Sequence, residues 1–335
     1  MRRGTVLGEV WPFVDAHHRC GRPVALARLV GRDGPGSRPL GATMAVAADG
    51  TWRGSLSGGC VEGGILDAAR RVLDGAGPHL MSLTPGEHLL PWEETPACAG
   101  ELRVLMTPAP ADPVHSAITA ALADDRPLAV RVGLEPPYAW SVAPGTRQLH
   151  GGGPGFTEVL PRRRRLVLVG ATDLAAAVAV MAEPLHRSVV VLDPRPRHIT
   201  SGAFPKSATI VRAWPDEWIG RHGLRTRDAV VILSHDPRID DPAIRAALAA
   251  DAGHIAVLGS RATHARRLRR LAGTPGIDRL SGPAGLDLGG VSPAETALSV
   301  LAELVAVENG RGGNRLRDGA LPIHATSSGT KATSV

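Results

Sequence analysis

From residue 166 onward, short apolar runs rich in β-branched residues alternate with stretches of helical periodicity, and no other feature constrains the fold as tightly. The runs fall at 166–169, 189–192, 209–211, 229–233 and 255–258. Each is too short for a helix, and unbroken apolarity implies burial on both faces. Strands of that kind separated by helices form a parallel sheet covered on both sides, the doubly wound architecture. A helix is expected from Thr263 to Leu271, and a final one is marked by its chemistry. Ser292 suits its cap, Pro293 its first position, and Glu295 completes a capping box ahead of an apolar run to Val307. Residues 166–185 are long enough to raise the question of a membrane span. Asp173 and Glu183 lie inside that stretch, Gly170 breaks it early and Pro184 closes it, so a buried strand feeding a helix is expected.

The first half has a different texture. Residues 23–30 are apolar and β-rich, and residues 43–56 form two strand-like pieces around Asp49-Gly50, a strong hairpin dipeptide. The turn Ser57-Gly58-Gly59-Cys60 then feeds a helix whose apolar residues Ile65, Ala68, Ala69, Val72 and Leu73 recur at helical spacing. Further strands are expected at 80–83, 101–106 and 128–132, with a helix at 113–123. Glycines 151–153 and 155, followed by Arg162 to Arg165, mark an exposed connection. The expected organisation is α/β: a small mixed α+β N-terminal domain at 1–143, a linker at 144–165, a doubly wound domain at 166–309, and a disordered tail at 310–335 rich in Gly, Ser and Thr. The arginine run is either a solvated entrance to a strand or an anion contact.

A length of 335 residues suits two such domains, and 43% hydrophobic with 21% charged residues excludes a wholly disordered chain. The net charge is +6, almost all from arginine, since Lys206 and Lys331 are the only lysines. Aromatics at 3% are too few for the stacking platforms of single-strand nucleic acid binders, so an anionic small molecule is the better partner for this charge. Cys20, Cys60 and Cys98 are odd in number and widely spaced, which gives neither a disulfide framework nor a zinc site and points to a reducing compartment, the cytoplasm. Glu9, Asp15 and His17 interrupt the apolar core that an export signal would need.

Three groups could carry chemistry. At Ser57-Gly58-Gly59-Cys60-Val61-Glu62, unpaired backbone N–H groups at a helix start would cradle an anion, and a thiol there could contact a metal cofactor. The alternative is that Ser57 caps the helix, the glycines allow close packing and Cys60 is a small buried residue. At Gly170-Ala171-Thr172-Asp173 a dinucleotide turn would need glycine where Thr172 stands, although Asp193, 23 residues after Gly170, falls where a ribose-binding acid belongs. Ser234-His235-Asp236 and Gly259-Ser260-Arg261 follow the fourth and fifth strands, where open sheets bind ligands. Adjacent residues cannot converge as a triad, whereas Arg261 is a fair anion anchor. His17 and His18 with Cys20 could suggest a metal, but adjacent histidines would diverge on a helix and no partner cluster follows.

Read together, Gly36-Ser37-Arg38-Pro39-Leu40-Gly41-Ala42, Gly54-Ser55-Leu56-Ser57-Gly58-Gly59-Cys60-Val61-Glu62 and Cys98-Ala99-Gly100 resemble the N-terminal signature of the xanthine dehydrogenase accessory factor family, of XdhC/CoxI type. Ser234-His235-Asp236, Leu258-Gly259-Ser260-Arg261, residues 282–290 and Pro293-Ala294-Glu295 resemble its Rossmann-like domain. The resemblance runs from about Gly21 to Val307 and implies a bacterial maturation chaperone, not a turnover enzyme. Such a protein binds molybdenum cofactor as cargo, protects its sulfurated form and delivers it to an apo molybdenum hydroxylase of xanthine or carbon monoxide dehydrogenase type. It further implies cofactor-binding roles for Arg38, Gly41, Ser57, Gly58, Gly59, Cys60, Glu62, Cys98, Gly259, Ser260 and Arg261, with Cys60 the candidate contact to molybdenum. A cysteine desulfurase and a second copy of the chain are further candidate partners; nucleic acid and membrane are not. The turn at Gly170 departs from the family's Gly-Ala-Gly-His, so NAD(P) is not expected, and an NAD(P)-dependent oxidoreductase is the alternative reading.

Overall fold

The computed structural model describes residues 6–33, 38–57, 61–84, 100–143, 154–199 and 203–319. The chain forms two compact units, one running to Arg162 and one from Arg163 to Leu321. In the first, β1 (Val24–Arg32), β2 (Thr43–Ala47), β3 (Trp52–Gly54), β4 (His79–Leu83) and β5 (Leu102–Pro108) make an antiparallel sheet in the order β3-β2-β1-β5-β4. The Asp49-Gly50 hairpin is present: Gly50 adopts φ +82°, and Met44 of β2 lies opposite Gly54 of β3.

Strand β1 is central and buried on both faces. Ala25, Ala27 and Leu29 pack with Ile65, Ala68 and Ala69 of α2 (Glu62–Arg71). Val24 and Leu26 pack with Leu7, Val10, Trp11 and Val14 of α1 (Val6–Arg19) and with Ile118 of α3 (Val114–Ala123). A smaller antiparallel sheet, in the order β7-β6-β8, adds Val130 and Leu160 to that second cluster. Its strands are β6 (Leu128–Gly133), β7 (Trp140–Val142) and β8 (Gly155–Leu160). Strand β8 lies within the stretch expected as an exposed connection. Phe156, Thr157 and Glu158 are all buried, so no polar alternation betrays it in the sequence. Helix α1 has no counterpart among the expected helices either, because Pro12 sits inside it.

The second unit is a parallel sheet of six strands: β9 (Arg164–Val169), β10 (Arg187–Leu192), β11 (Thr209–Val211), β12 (Ala229–Ile232), β13 (His254–Val257) and β14 (Leu280–Ser281). Their order, β11-β10-β9-β12-β13-β14, is that of the Rossmann fold. Between them run α4 (Asp173–Ala182), α5 (Pro196–Ile199), α6 (Pro215–His222), α7 (Pro237–Ala249), α8 (Arg261–Arg270) and α9 (Pro293–Glu308). Alternate residues of each strand enter different cores. Val167, Val169, Val230 and Ile232 meet α6 and α7 through Ile219, Ile244 and Ala247. Leu166, Leu168, Ala229 and Val231 meet α4 and α9 through Val178, Ala179, Val300 and Leu304. Apolarity on both strand faces is thus the mark of a sheet covered twice. Residues 166–185 form the end of β9, all of α4 and the turn after it, and no helix among the described residues is long and apolar enough to cross a membrane.

Helix α9 begins as expected. The Ser292 hydroxyl accepts the Glu295 N–H at 3.2 Å, and the Glu295 carboxylate accepts the Ser292 N–H at 3.0 Å. Beyond it, residues 316–318 form one 3-10 turn, and 320–335 lie outside the described residues. Replacing Ser292 with alanine is expected to cost about 1 kcal/mol of second-unit stability. The loss should appear as a lower urea midpoint with an unchanged slope; an unchanged midpoint would show that the cap contributes nothing.

Candidate functional site

Helix α2 opens at the last residue of the Ser57–Glu62 motif, and the way it opens defines the site. Glu62 is its first residue and is buried. Its carboxylate turns back toward the loop. There it accepts the Ser55 hydroxyl at 2.6 Å, the Ser57 hydroxyl at 2.8 Å, the Ser57 N–H at 3.3 Å and the Val61 N–H at 3.1 Å. The Ser57 hydroxyl oxygen in turn accepts the Val61 N–H at 3.2 Å. Burial alone would raise the carboxyl's pKa, but the bonds from Ser55, Ser57 and Val61 outweigh it and hold the group at about 2. Ser57 and Val61, which flank residues 58–60, are therefore held to one carboxylate that is ionised at neutral pH.

This changes the reading of the loop. A helix start offers unpaired N–H groups to an anion, but here the Val61 N–H, with the Ser57 N–H before it, is already taken by Glu62. Ser57 is not the capping residue; Val61 occupies that position without a side-chain cap, because the protein's own carboxylate supplies the acceptor. Gly58, Gly59, Cys60 and Cys98, the centre of the expected cofactor contacts, lie outside the described residues, as do Gly36 and Ser37.

Arg38 joins the base of this loop. Its Nε donates to the Ser55 carbonyl at 3.2 Å, and its own carbonyl accepts from Arg32 Nη1 at 2.7 Å. Gly41 has another role: a side chain there would begin 3.4 Å from the Phe156 ring, at a φ of +90°. Behind it the buried Arg28 pairs with Glu158 and sits 5.1 Å from both the Trp140 and Phe156 ring centres. The structure thus gathers Arg38, Ser57 and Glu62, adds Ser55, and leaves Gly41 to packing. Ser55 lay in the motif but carried no signal of its own. Among the described residues no cluster of His, Cys, Asp and Glu could hold a metal ion. His17 turns to the Phe13 carbonyl and Asp49, and His18 stacks on His115.

In the second unit the strand-end turns are mostly filled by their own side chains. Gly170, at φ +105°, lets the loop after β12 pass so close that a side chain would begin 2.7 Å from the Ser234 backbone. Thr172 caps α4 by accepting the Ala175 N–H at 3.2 Å. Asp193, the expected ribose acid, accepts the Ala171 N–H at 2.8 Å and pairs with Arg195 at 2.8 Å. Ser234-His235-Asp236 is a helix entrance: Asp236 caps α7, and the Ser234 hydroxyl donates to Asp240 at 2.6 Å. Gly259, Ser260 and Arg261 form the turn from β13 into α8. That helix starts two residues before the expected Thr263, because Ser260 caps it by accepting the Thr263 N–H at 3.1 Å.

Known proteins match on both sides of residues 144–165. A family described as "XdhC and CoxI family" matches residues 17–84, and one described as "XdhC Rossmann domain" matches 166–304. A Bacillus subtilis (strain 168) protein, named as a probable component of xanthine dehydrogenase, is 31% identical over 150 residues, 45% of this chain. That match spans 44% of the relative's length, less than half. The molybdenum cofactor insertion chaperone PaoD of Escherichia coli (strain K12) is 26% identical over 295 residues, 86% of this chain and 84% of its own. A crystal structure described as a xanthine dehydrogenase from Bacillus halodurans superposes with a TM-score of 0.75 at 23% identity, over 90% of this chain and 96% of that one. It shares the fold.

The Glu62 clamp has a measurable acid signature. Because its pKa is depressed on folding, its stabilisation is complete above the ordinary glutamate range, about 4.3, and is lost as pH falls toward 2. Glu62→Ala is expected to cost on the order of 2 kcal/mol at pH 7, since it leaves buried donors unmet. The same variant should show a flatter stability profile between pH 5 and pH 2, bounds set at roughly those two pKa values. Equal acid sensitivity in wild type and variant would contradict the clamp.

Proposed function

The chain belongs to the XdhC and CoxI family, and from that premise we propose that it is a carrier that binds molybdenum cofactor and inserts it into an apo molybdenum hydroxylase. The observation that carries the reading is the Glu62 clamp. It holds Ser57 and Val61 to one carboxylate and so sets the ends of the three-residue stretch Gly58-Gly59-Cys60. A short glycine stretch with tethered ends can bring its backbone close to a bulky ligand and carry a thiol to a metal. Thiolate is a ligand that soft metal centres favour. Arg38, between β1 and β2, braces the Ser55 carbonyl that follows β3. In this reading Cys60 contacts the molybdenum, Cys98 serves as a second thiol for the sulfurated form, and Glu62 positions the loop without touching the cargo.

The client is an apoenzyme of xanthine or carbon monoxide dehydrogenase type, with a cysteine desulfurase as the sulfur source and a second copy of the chain as a further partner. The name of the Escherichia coli relative, a molybdenum cofactor insertion chaperone aligned over most of both chains, supports the cargo. The oxidoreductase alternative finds no support at the β9–α4 turn, where Thr172 caps the helix and Asp193 is engaged by Ala171 and Arg195.

Two experiments test the assignment. In a host that makes molybdenum cofactor, the purified wild-type chain should retain molybdenum and pterin. Cys60→Ala should lose about tenfold in retention, the loss of one strong ligand interaction, with an unchanged circular dichroism spectrum. Retention equal to wild type would reject Cys60 as a contact. Titration with NADH and NADPH should give no saturable change in nicotinamide fluorescence, and micromolar binding of either would restore the oxidoreductase reading.

A further inference from the structure

Arg267, in the second turn of α8, is only 2% exposed, yet among the described residues its Nε and Nη1 have no hydrogen-bond partner. Its Nη2 reaches the Leu258 carbonyl at 3.4 Å and Asp240 at 3.5 Å, both long for bonds from a charged donor. Burial lowers its pKa against the pull of Asp240. Asp240 also accepts the Ser234 hydroxyl, and burial raises its pKa against that bond and the pull of Arg267. Two orphaned donors on a buried cation are costly if nothing meets them.

One of the unmet donors lies beside a particular turn. Nη1 is 3.8 Å from the point where a side chain on Gly259 would begin. That point is the mouth of the β13–α8 turn, at the carboxyl edge of the parallel sheet, where open sheets bind ligands. Ser260 caps α8 there, and the Arg266 guanidinium reaches Thr263 Oγ1 at 3.3 Å. Arg261 is exposed at the first helical position. By helix geometry the N–H groups of Arg261 and Ala262 have no acceptor within the helix. His264 adds no charge, because burial and then the charge of Arg267 lower its pKa.

We propose that the β13–α8 turn, Gly259-Ser260-Arg261 backed by the buried Arg267, binds a phosphomonoester group of a small molecule. The first-turn N–H groups and the Ser260 hydroxyl meet the phosphate oxygens, Arg261 and Arg266 screen its charge from the solvent side, and Arg267 supplies the fixed positive charge behind it. Glycine at 259 keeps that approach open. The inference stands on the second unit alone and needs no part of the carrier reading. A phosphorylated pterin and a nucleoside monophosphate both carry the group.

The test is titration of the full chain with inorganic phosphate, 6-hydroxymethylpterin monophosphate and adenosine monophosphate, followed by phosphorus NMR. Saturable binding of inorganic phosphate is expected, with the ester that matches the site bound more tightly. Two esters no tighter than inorganic phosphate would support a site that reads the phosphate alone. Arg267→Gln and Arg261→Pro should each weaken phosphate binding about tenfold, the worth of one charge-assisted hydrogen bond. The second variant guards against a fold defect in the first. Proline is favoured at a first helical position, and Ser260 already has the extended φ −75° and ψ 160° that precede a proline. Arg261→Pro removes one N–H and one guanidinium while α8 stays formed. No saturable binding of any probe, or wild-type affinity in a folded Arg261→Pro chain, overturns the proposal. A chain that retains molybdenum cofactor but binds no phosphate would overturn this site and leave the carrier reading standing.

Discussion

One carboxylate organises the first unit's motif. Glu62 begins a helix, where its charge is favoured by the helix dipole, and takes hydrogen bonds from Ser55, Ser57 and Val61 at once. Four donors among the described residues, all on one buried acceptor, make the group an internal anion. The same charge takes the Ser57 and Val61 N–H groups, so these two are not free for a ligand's phosphate.

The second unit divides its strand ends in a comparable way. At the switch point between β9 and β12, ligand-type groups are turned inward: Thr172 on its own helix, Asp193 on Ala171 and Arg195, Ser234 on Asp240. At the β13–α8 turn the balance is reversed, with a capped helix start beside a buried guanidinium that still has donors to give. A shared fold thus says little about which turn binds. The distribution of satisfied and unsatisfied groups says more.

Much of this architecture is legible in the sequence because it depends on local, repeated signals. The five apolar runs of the second unit appear as β9 to β13, and the capping box at Ser292 and Glu295 forms both of its bonds. Strand β14 is only two residues long, and β8 is buried on both faces with Thr157 and Glu158 among its residues, so neither produces a periodic pattern. The candidate site is legible as a motif but not as a mechanism. Glu62 reads as a ligand neighbour from its position, and only the path of the chain turns its carboxylate back onto Ser55 and Ser57. Arg267 is one of several arginines in α8, and nothing local separates it from the exposed Arg266 and Arg269. Its Nη2 meets Asp240 on α7 and the Leu258 carbonyl just after β13, contacts that only the folded chain brings together.

The clamp is most directly tested by the titration of a single atom. With glutamate labelled at its side-chain carboxyl carbon and Glu62 assigned by comparison with a Glu62→Gln chain, carbon NMR between pH 7 and pH 1.5, a window chosen to span roughly both limits, follows that carboxyl alone. The clamp predicts a midpoint at about 2, with the Ser57 and Val61 amide signals shifting in the same step. A midpoint in the ordinary glutamate range, with those amides unmoved, would mean that the carboxylate holds neither end of the loop.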